Sequence, residues 1–287
     1  MAGYNSSVHP VELARRIVGT MFDNMMRGLG IALLFLGTGL VLYITYAYFT
    51  VPLLDPSLPM WVQFPATSLG IWFLFNILFN WWYCYSTSPG HPTNRNPPMH
   101  SKVCKYCETH KPERCHHCSV CGRCVLAMDH HCPWMANCIG YFNYRYFYLF
   151  LVYMFLGCSF CVVVCSWSYP VLRVLAGEKN IRIPGPVVFV FVVTTSVAIA
   201  VGILLGWHTY LVLNAQTTIE YYKSRAKRLG ARSAHGEVYV NEYDLGRRKN
   251  WQSVFGPAKY PFSWAMPTTR RRDGDGITWK TLRTPLV

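Results

Sequence analysis

Four long apolar stretches dominate the pattern of hydrophobic and polar positions along this chain of 287 residues. None of the stretches contains a charged residue, and each has at least the roughly 20 helical residues that cross a hydrocarbon core of about 30 Å. They run from Gly28 to Leu54, from about Ala66 to Tyr85, from Tyr146 to Tyr169, and from Pro184 to about Leu213. The alternative, buried helices of a soluble core, does not account for four such runs in one chain. The pattern therefore predicts four transmembrane helices.

The distribution of basic residues predicts the orientation of these helices. Of the 27 Lys and Arg residues, only Arg173, Lys179 and Arg182 lie in the two loops on one side, and the other 24 lie on the opposite side. By the positive-inside rule, both termini and the loop between the second and third helices face the cytosol. A net charge of +14 would suggest nucleic-acid binding in a soluble chain. Here 52% of residues are hydrophobic and 14% charged, so the expected partner is a lipid bilayer and not nucleic acid.

The predicted fold class is an α-helical integral membrane protein with four transmembrane helices and a small cytosolic Cys-rich domain between helices 2 and 3. This divides the chain into five parts. They are a cytosolic N-terminal lead at 1–27, two transmembrane helices at 28–85, the Cys-rich domain at 86–145, two further transmembrane helices at 146–213, and a cytosolic C-terminal tail at 214–287.

The segment from Cys104 to Cys138 carries the candidate chemistry. It holds eight of the twelve cysteines and five of the ten histidines, with Cys-x2-Cys spacings at Cys104 and Cys107 and again from Cys115 to Cys124. Thiolate and imidazole ligands at such spacing are typical of structural zinc sites. Disulfides are the alternative, but thiols stay reduced in the predicted cytosolic location. The sequence therefore predicts zinc binding in this segment.

Thirteen Cys and His side chains exceed the eight ligands that two zinc ions require. Cys132 is a candidate for another role because it follows Asp129, His130 and His131 directly. A carboxylate, an imidazole and a thiol can form a nucleophile with its base and orienting group. The alternative, that Cys132 is a ninth ligand or an inert thiol, is less favoured by the spacing but stays open.

Two motifs resemble the DHHC-type protein S-acyltransferases. They are Cys-His-His-Cys-Ser-Val-Cys-Gly-Arg-Cys at 115–124 and Asp-His-His-Cys-Pro-Trp at 129–134. The resemblance implies two structural zinc ions with interleaved ligands. One ion would be held by Cys104, Cys107, His117 and Cys124, and the other by Cys118, Cys121, His131 and Cys138. Cys115, His110 and His116 are left without a role, and we expect them to serve packing or local hydrogen bonding.

The resemblance also implies a two-step protein S-palmitoyltransferase reaction. Cys132 would attack the thioester of a long-chain acyl-CoA, such as palmitoyl-CoA, and then pass the acyl group to a substrate protein. His130 would act as the base, with Asp129 fixing its tautomer. The implied partners are acyl-CoA and membrane-associated proteins with a cytosolic cysteine near the membrane. Three stretches, Trp207-His208, Thr217 to Glu220 and Asn241 to Gly256, are similar to the vertebrate branch numbered sixteen. This similarity implies an endomembrane location, endoplasmic reticulum or Golgi.

Further motifs support this resemblance, and two positions depart from it. Thr217-Thr218-Ile219-Glu220 is similar to the family's Thr-Thr-x-Glu motif and also predicts a helix capping box. A family aromatic motif matches 241–256, where the resemblance implies that Tyr243 packs into the membrane domain. The family usually has Asn at the position of Ala136 and Asp at that of Ser88. We expect a satisfied polar contact for His208, the only histidine within the four spans, and a loosely ordered tail beyond the aromatic motif.

Two other classes of protein share some of these features. A non-catalytic adaptor would use the zinc domain only to bind partners, and an altered Cys132 or His130 would have favoured it. A membrane-anchored zinc-finger ubiquitin ligase also interleaves two zinc sites. It predicts binding of a ubiquitin-conjugating enzyme and no acyl intermediate.

Overall fold

A computed structural model describes residues 10–50, 59–93, 102–168, 177, 183–233, 240–257 and 262–282. Within these ranges the chain forms six α-helices: α1 (Pro10–Thr50), α2 (Met60–Ser86), α3 (Tyr144–Ser168), α4 (Gly185–Leu213), α5 (Thr218–Ser233) and α6 (Arg247–Phe255). The first four are long and apolar enough to cross a membrane. The prediction of a helical membrane protein with four transmembrane helices is confirmed.

Two helices begin earlier than the hydrophobic pattern predicts. The helix α1 begins at Pro10, so most of the predicted lead continues the first transmembrane helix. The helix α2 begins at Met60 and passes through Pro65, which lies close enough to the helix start to be tolerated there.

The Cys-rich domain between α2 and α3 consists of three short antiparallel hairpins. They pair β1 (Lys102–Val103) with β2 (His110–Lys111), β3 (His116–Cys118) with β4 (Arg123–Val125), and β5 (His130–Cys132) with β6 (Asn137–Ile139). A short 3-10 helix, Pro133–Met135, connects β5 to β6 and packs against α1. The predicted position of the domain between the second and third helices is confirmed.

A hydrophobic cluster joins this domain to the adjoining end of the helix bundle. It includes Trp81 of α2, Met135 of the 3-10 helix, Phe147 of α3 and Val212 of α4, and Cys132 is part of the same cluster. The helix α6 adds Val254 and Phe255 to the cluster. Because the cluster spans both parts, the β5–β6 hairpin has a fixed position relative to the membrane helices.

The C-terminal tail is ordered against the rest of the protein, so the prediction of a loose tail is wrong for residues 262–282. Arg145 donates to the carbonyl oxygen of Trp264 at 3.2 Å. The hydroxyl of Tyr153 donates to the carbonyl oxygen of Ala265 at 2.7 Å. Trp264 also packs against Trp251 of α6. Charge and turn composition suggested disorder, but aromatic side chains supply enough apolar contact to order the segment.

Candidate active site and metal centres

The alternation of side chains along β5 separates a metal ligand from two reactive groups. Neighbouring residues of a strand point to opposite faces, and residues two apart share a face. His131 is paired with Cys138 across the hairpin and lies on the face that meets the other thiols. His130 and Cys132 share the opposite face, towards the helix bundle.

Asp129 and His130 form a close pair beside Cys132. His130 Nδ1 donates to Asp129 Oδ2 at 2.7 Å, which leaves Nε2 available to Cys132. Burial disfavours the charged imidazole, but hydrogen bonds to Asp129 and Cys132 outweigh it and raise the pKa of His130 to about 9. Burial also opposes ionisation of Asp129, yet the hydrogen bond from His130 keeps the pKa of this carboxyl below its usual value. The pair is therefore arranged so that His130 can accept a thiol proton.

The start of α5 holds the Asp129 carboxylate in place. The amide of Thr218 donates to Asp129 Oδ1 at 2.8 Å, and its hydroxyl donates to Oδ2 at 2.9 Å. The preceding residue, Thr217, donates its amide to Glu220 Oε2 at 2.9 Å, while the amide of Glu220 donates to Thr217 Oγ1 at 3.3 Å. The predicted capping box is thus present, and it orients the threonine that binds Asp129.

The structure brings together the first predicted set of zinc ligands. Single ligand atoms of Cys104, Cys107, His117 and Cys124 all lie within 4.8 Å of one another. His117 Nδ1 is 3.2 Å from the sulfur of Cys107 and 4.0 Å from that of Cys124. Ligands about 2.0–2.3 Å from a tetrahedral zinc ion lie at comparable separations from each other. These four residues therefore fit a structural zinc ion.

The second predicted set is also assembled, from Cys118, Cys121, His131 and Cys138. His131 Nδ1 lies 3.3 to 3.8 Å from the three sulfur atoms, and the sulfurs of Cys121 and Cys138 are 3.5 Å apart. His117 and Cys118 are adjacent in β3 but belong to different sets, because successive side chains leave a strand on opposite faces. All twelve cysteines are free thiols, which agrees with metal ligation and not with disulfides.

The comparisons with known proteins agree with this geometry. The sequence profile described as DHHC palmitoyltransferase matches residues 98–225. Palmitoyltransferase ZDHHC16A of Danio rerio is 30% identical, over 90% of this chain and 80% of the relative. This chain belongs to the DHHC palmitoyltransferase family.

Other members of the family are similar over much of this chain. Palmitoyltransferase ZDHHC16B of Danio rerio is 31% identical over 90% of this chain and 79% of the relative. Probable protein S-acyltransferase 15 of Arabidopsis thaliana is 37% identical over 64% of this chain and 70% of the relative. The resemblance to the branch numbered sixteen is thereby confirmed, since both zebrafish relatives carry that number.

The two departures from the DHHC family pattern have different structural consequences. Ser88 retains a local turn, because its hydroxyl accepts a hydrogen bond from the Gly90 amide at 3.3 Å. Ala136 ends the 3-10 helix in the left-handed region, at φ 45° and ψ 31°. Asn adopts this conformation more readily than Ala, so the departure at Ala136 places a cost on the loop that follows Cys132.

Sequence reasoning missed how close His208 lies to the reactive pair of this DHHC protein. The hydroxyl of Tyr144 donates to His208 Nδ1 at 2.9 Å, which confirms the expected polar contact. The rings of His208 and His130 are 5.8 Å apart, and Phe147 packs edge-on against both. The only early signal was an isolated histidine near the end of a membrane span.

Two further predicted residues have contacts different from those expected. Tyr243 donates to Glu113 of the Cys-rich domain at 2.8 Å, so the implied packing of Tyr243 into the membrane domain is wrong. Asn250 makes that connection instead, donating to the carbonyl oxygen of Leu213 at the end of α4 at 2.8 Å. Cys115 is buried beside the first ligand set, in agreement with the expected packing role.

Proposed function

We propose that this protein transfers a long-chain acyl group from acyl-CoA to Cys132 and then to cysteines of other proteins. Membership of the DHHC palmitoyltransferase family supports protein S-palmitoylation as the overall activity. The observation that carries the residue assignment is that His130 and Cys132 share one face of β5 while the preceding residue, Asp129, binds the ring of His130. The 2.7 Å hydrogen bond between Asp129 and His130 sets the tautomer that leaves Nε2 free to act on the thiol.

In the first step, His130 Nε2 takes the proton of the Cys132 thiol. The thiolate forms a bond to the acyl carbonyl carbon of palmitoyl-CoA, and the carbon–sulfur bond to CoA breaks. The CoA thiolate leaves with the electron pair of that bond and receives the proton from His130. One thioester replaces another, so the step needs no oxidant, reductant or energy source.

In the second step, His130 takes a proton from the thiol of a substrate protein. The new thiolate attacks the acyl carbon, and the bond to Cys132 breaks. Cys132 leaves as a thiolate and regains a proton from His130. The site is adjacent to the ends of α3 and α4, which favours substrates whose cysteine lies close to the membrane surface.

An apolar cavity within the helix bundle supports binding of the acyl chain there. The cavity of about 70 Å³ is lined by residues from all four transmembrane helices, including Val41, Phe73, Cys158 and Thr194. Its volume is too small for a complete palmitoyl chain, so we expect the helices to separate when acyl-CoA binds.

The two ligand sets would hold structural zinc. Each set contains four protein ligands and leaves no open position, so the metal would fix the hairpins. The second ion would bind His131 and thereby hold both neighbours of that residue, His130 and Cys132, in position.

The proposed topology places the amino terminus, the Cys-rich domain at 86–145 and the tail at 214–287 in the cytosol. Its support is the bias of 24 among 27 basic residues to one side. The proposed location is the endoplasmic reticulum or Golgi, carried over from the family resemblance. Glycosylation-site insertion at 55–58 and at 283–287 tests the orientation, and only the first is expected to be glycosylated.

Purified protein incubated with labelled palmitoyl-CoA provides the direct test of function. We expect a hydroxylamine-sensitive label on the wild type and no such label on Cys132→Ala or Cys132→Ser. If folded, zinc-loaded wild type is not labelled, the result would favour a non-catalytic adaptor that uses the zinc domain only to bind partners. Absence of label together with binding of a ubiquitin-conjugating enzyme would favour the ligase.

A further inference from the structure

A segment near the end of the chain packs across the Cys-rich domain. We call residues 270–282 the C-terminal strap. The hydroxyl of Tyr141 donates to the carbonyl oxygen of Asp273 at 2.6 Å, and the guanidinium of Arg272 lies 4.2 Å from the centre of the Tyr141 ring. Arg272 Nε also donates to the carbonyl oxygen of Ser253 at 2.7 Å. These contacts bind the first half of the strap to the Cys-rich domain and to α6.

The second half of the strap contributes one of the two aromatic rings that contact Arg114. The guanidinium carbon of Arg114 lies 4.2 Å from the ring centre of Trp279 and 4.5 Å from that of Tyr243. The two rings are inclined at 70° to each other, and their contacts restrict the orientation of the guanidinium while its hydrogen-bonding edge stays free. Arg114 itself has a left-handed backbone, with φ 63°, which costs energy and requires compensating contacts.

The edge of Arg114 binds the capping box that precedes α5. Its Nε donates to Glu220 Oε1 and its Nη2 to Glu220 Oε2, both at 2.7 Å, and Nη2 also donates to the carbonyl oxygen of Ala215 at 3.0 Å. The Arg114 and Glu220 side chains are only 8% and 16% exposed, so this bidentate salt bridge is shielded from water. Arg114 therefore fixes both the carboxylate of the capping box and the backbone that leads into it.

The capping box in turn orients the threonine that binds Asp129. Glu220 accepts the Thr217 amide, and Thr218 donates its amide and hydroxyl to Asp129. Contacts thus run from Trp279 through Arg114 and Glu220 to Thr217, and the next residue in the chain, Thr218, binds the carboxylate beside His130. The series joins the strap to the reactive pair without passing through any proposed zinc ligand.

We propose that Trp279 is a positioning residue for acyl transfer, which acts through Arg114 and Glu220 to hold Asp129 and His130. This inference rests on the proposed function of the Asp129, His130 and Cys132 group. Trp279 contacts neither the thiol nor the predicted acyl cavity, so its loss changes the rate of the chemical step and leaves acyl-CoA binding intact.

The test compares Trp279→Leu, Trp279→Phe and wild type in labelling by palmitoyl-CoA. We expect Trp279→Leu to lower the saturating rate of thioester formation about three- to ten-fold, within the range seen for coupling through packed networks. The half-saturating concentration of palmitoyl-CoA and the zinc content stay unchanged. Trp279→Phe, which keeps an aromatic face for Arg114, restores most of the rate. Leu282→Ala serves as a matched control, because that side chain is 56% exposed in the same strap.

A second measurement does not depend on activity. Hydrogen exchange of the peptide containing the Thr218 amide reports the contact with Asp129 directly. We expect faster exchange in Trp279→Leu than in wild type or Leu282→Ala. In the Thr218→Val background, Trp279→Leu adds little further loss of rate, because both changes act on the same carboxylate.

These measurements separate failure of the inference from failure of the proposed function. Wild type that forms no thioester contradicts the proposed function, and the exchange of Thr218 still tests the inference. The inference is overturned if Trp279→Leu leaves both rate and exchange unchanged, or if the loss of rate is fully additive with that of Thr218→Val. A change confined to the half-saturating concentration, or a loss of zinc, also overturns it.

Discussion

Thr218 donates two hydrogen bonds to Asp129, from its amide at 2.8 Å and from its hydroxyl at 2.9 Å. The donor stands 89 residues beyond the acceptor, on the far side of two membrane helices. The Asp129 carboxylate is 0% exposed, so these donors replace the water that would otherwise solvate its charge. The chain segment after the fourth membrane helix thus completes a site whose reactive residues lie before the third.

Removal of the Thr218 hydroxyl tests this dependence. Thr218→Val keeps the branched shape and the amide donor but loses one hydrogen bond to a charged group. We expect about a ten-fold slower thioester formation, equivalent to roughly 1.5 kcal/mol. Single-turnover labelling with palmitoyl-CoA measures the rate. Thr218→Ser retains the hydroxyl and should label at nearly the wild-type rate; equal rates for the Val and wild-type forms would contradict the role of the contact.

Loss of one zinc ligand should disable the site without touching Cys132. We expect Cys138→Ala to bind about one metal ion fewer than wild type and to form no detectable thioester, because His131 loses its fixed position. Elemental analysis of the purified protein measures the metal content. Cys115→Ala removes a buried thiol outside both ligand sets and should retain the wild-type zinc content. A Cys138→Ala protein with full activity would refute the structural role of the second ion.

The left-handed backbone of Ala136 predicts a gain in stability on substitution by glycine. Ala136→Gly removes the steric cost at φ 45° but adds entropy to the unfolded chain, so the expected net gain is about 0.5–1 kcal/mol. Ala136→Val places a branched side chain in the same conformation and should lower stability. The temperature of half-inactivation in detergent measures both. If Ala136→Val were more stable than Ala136→Gly, the result would contradict a left-handed backbone at residue 136.

Gly140 lies where the Cys-rich domain leaves no space for a side chain. A methyl group there would approach Val125 Cγ1 to 2.7 Å and the carbonyl oxygen of Leu126 to 2.8 Å. We therefore expect Gly140→Ala to destabilise the protein by about 3 kcal/mol, measured by thermal unfolding. Gly39→Ala in α1 is the matched control, since no atom lies within 4 Å of its added methyl group. Similar unfolding temperatures for the two variants would contradict the close packing at Gly140.

The sequence determined the features that depend on local order and composition. Uncharged stretches longer than 20 residues predict membrane helices, because a bilayer leaves backbone polar groups no partner except each other. The spacing of Cys and His, together with the motif at 129–134, predicted the domain and its family. Alternation along β5 then separates His131 from His130 and Cys132 without reference to any distant residue.

Only the tertiary structure decided which distant residues support the reactive group. The motif that contains Thr218 was recognised from the sequence, but nothing near His208 or Trp279 indicates that either residue contributes to the surroundings of Asp129 or His130. Their positions depend on how α3 and α4 pack and on how the tail returns across the Cys-rich domain. The tail illustrates the reason: its charges and glycines predict disorder locally, whereas the rings of Trp264 and Trp279 gain their stabilising contacts only once the rest of the chain has folded.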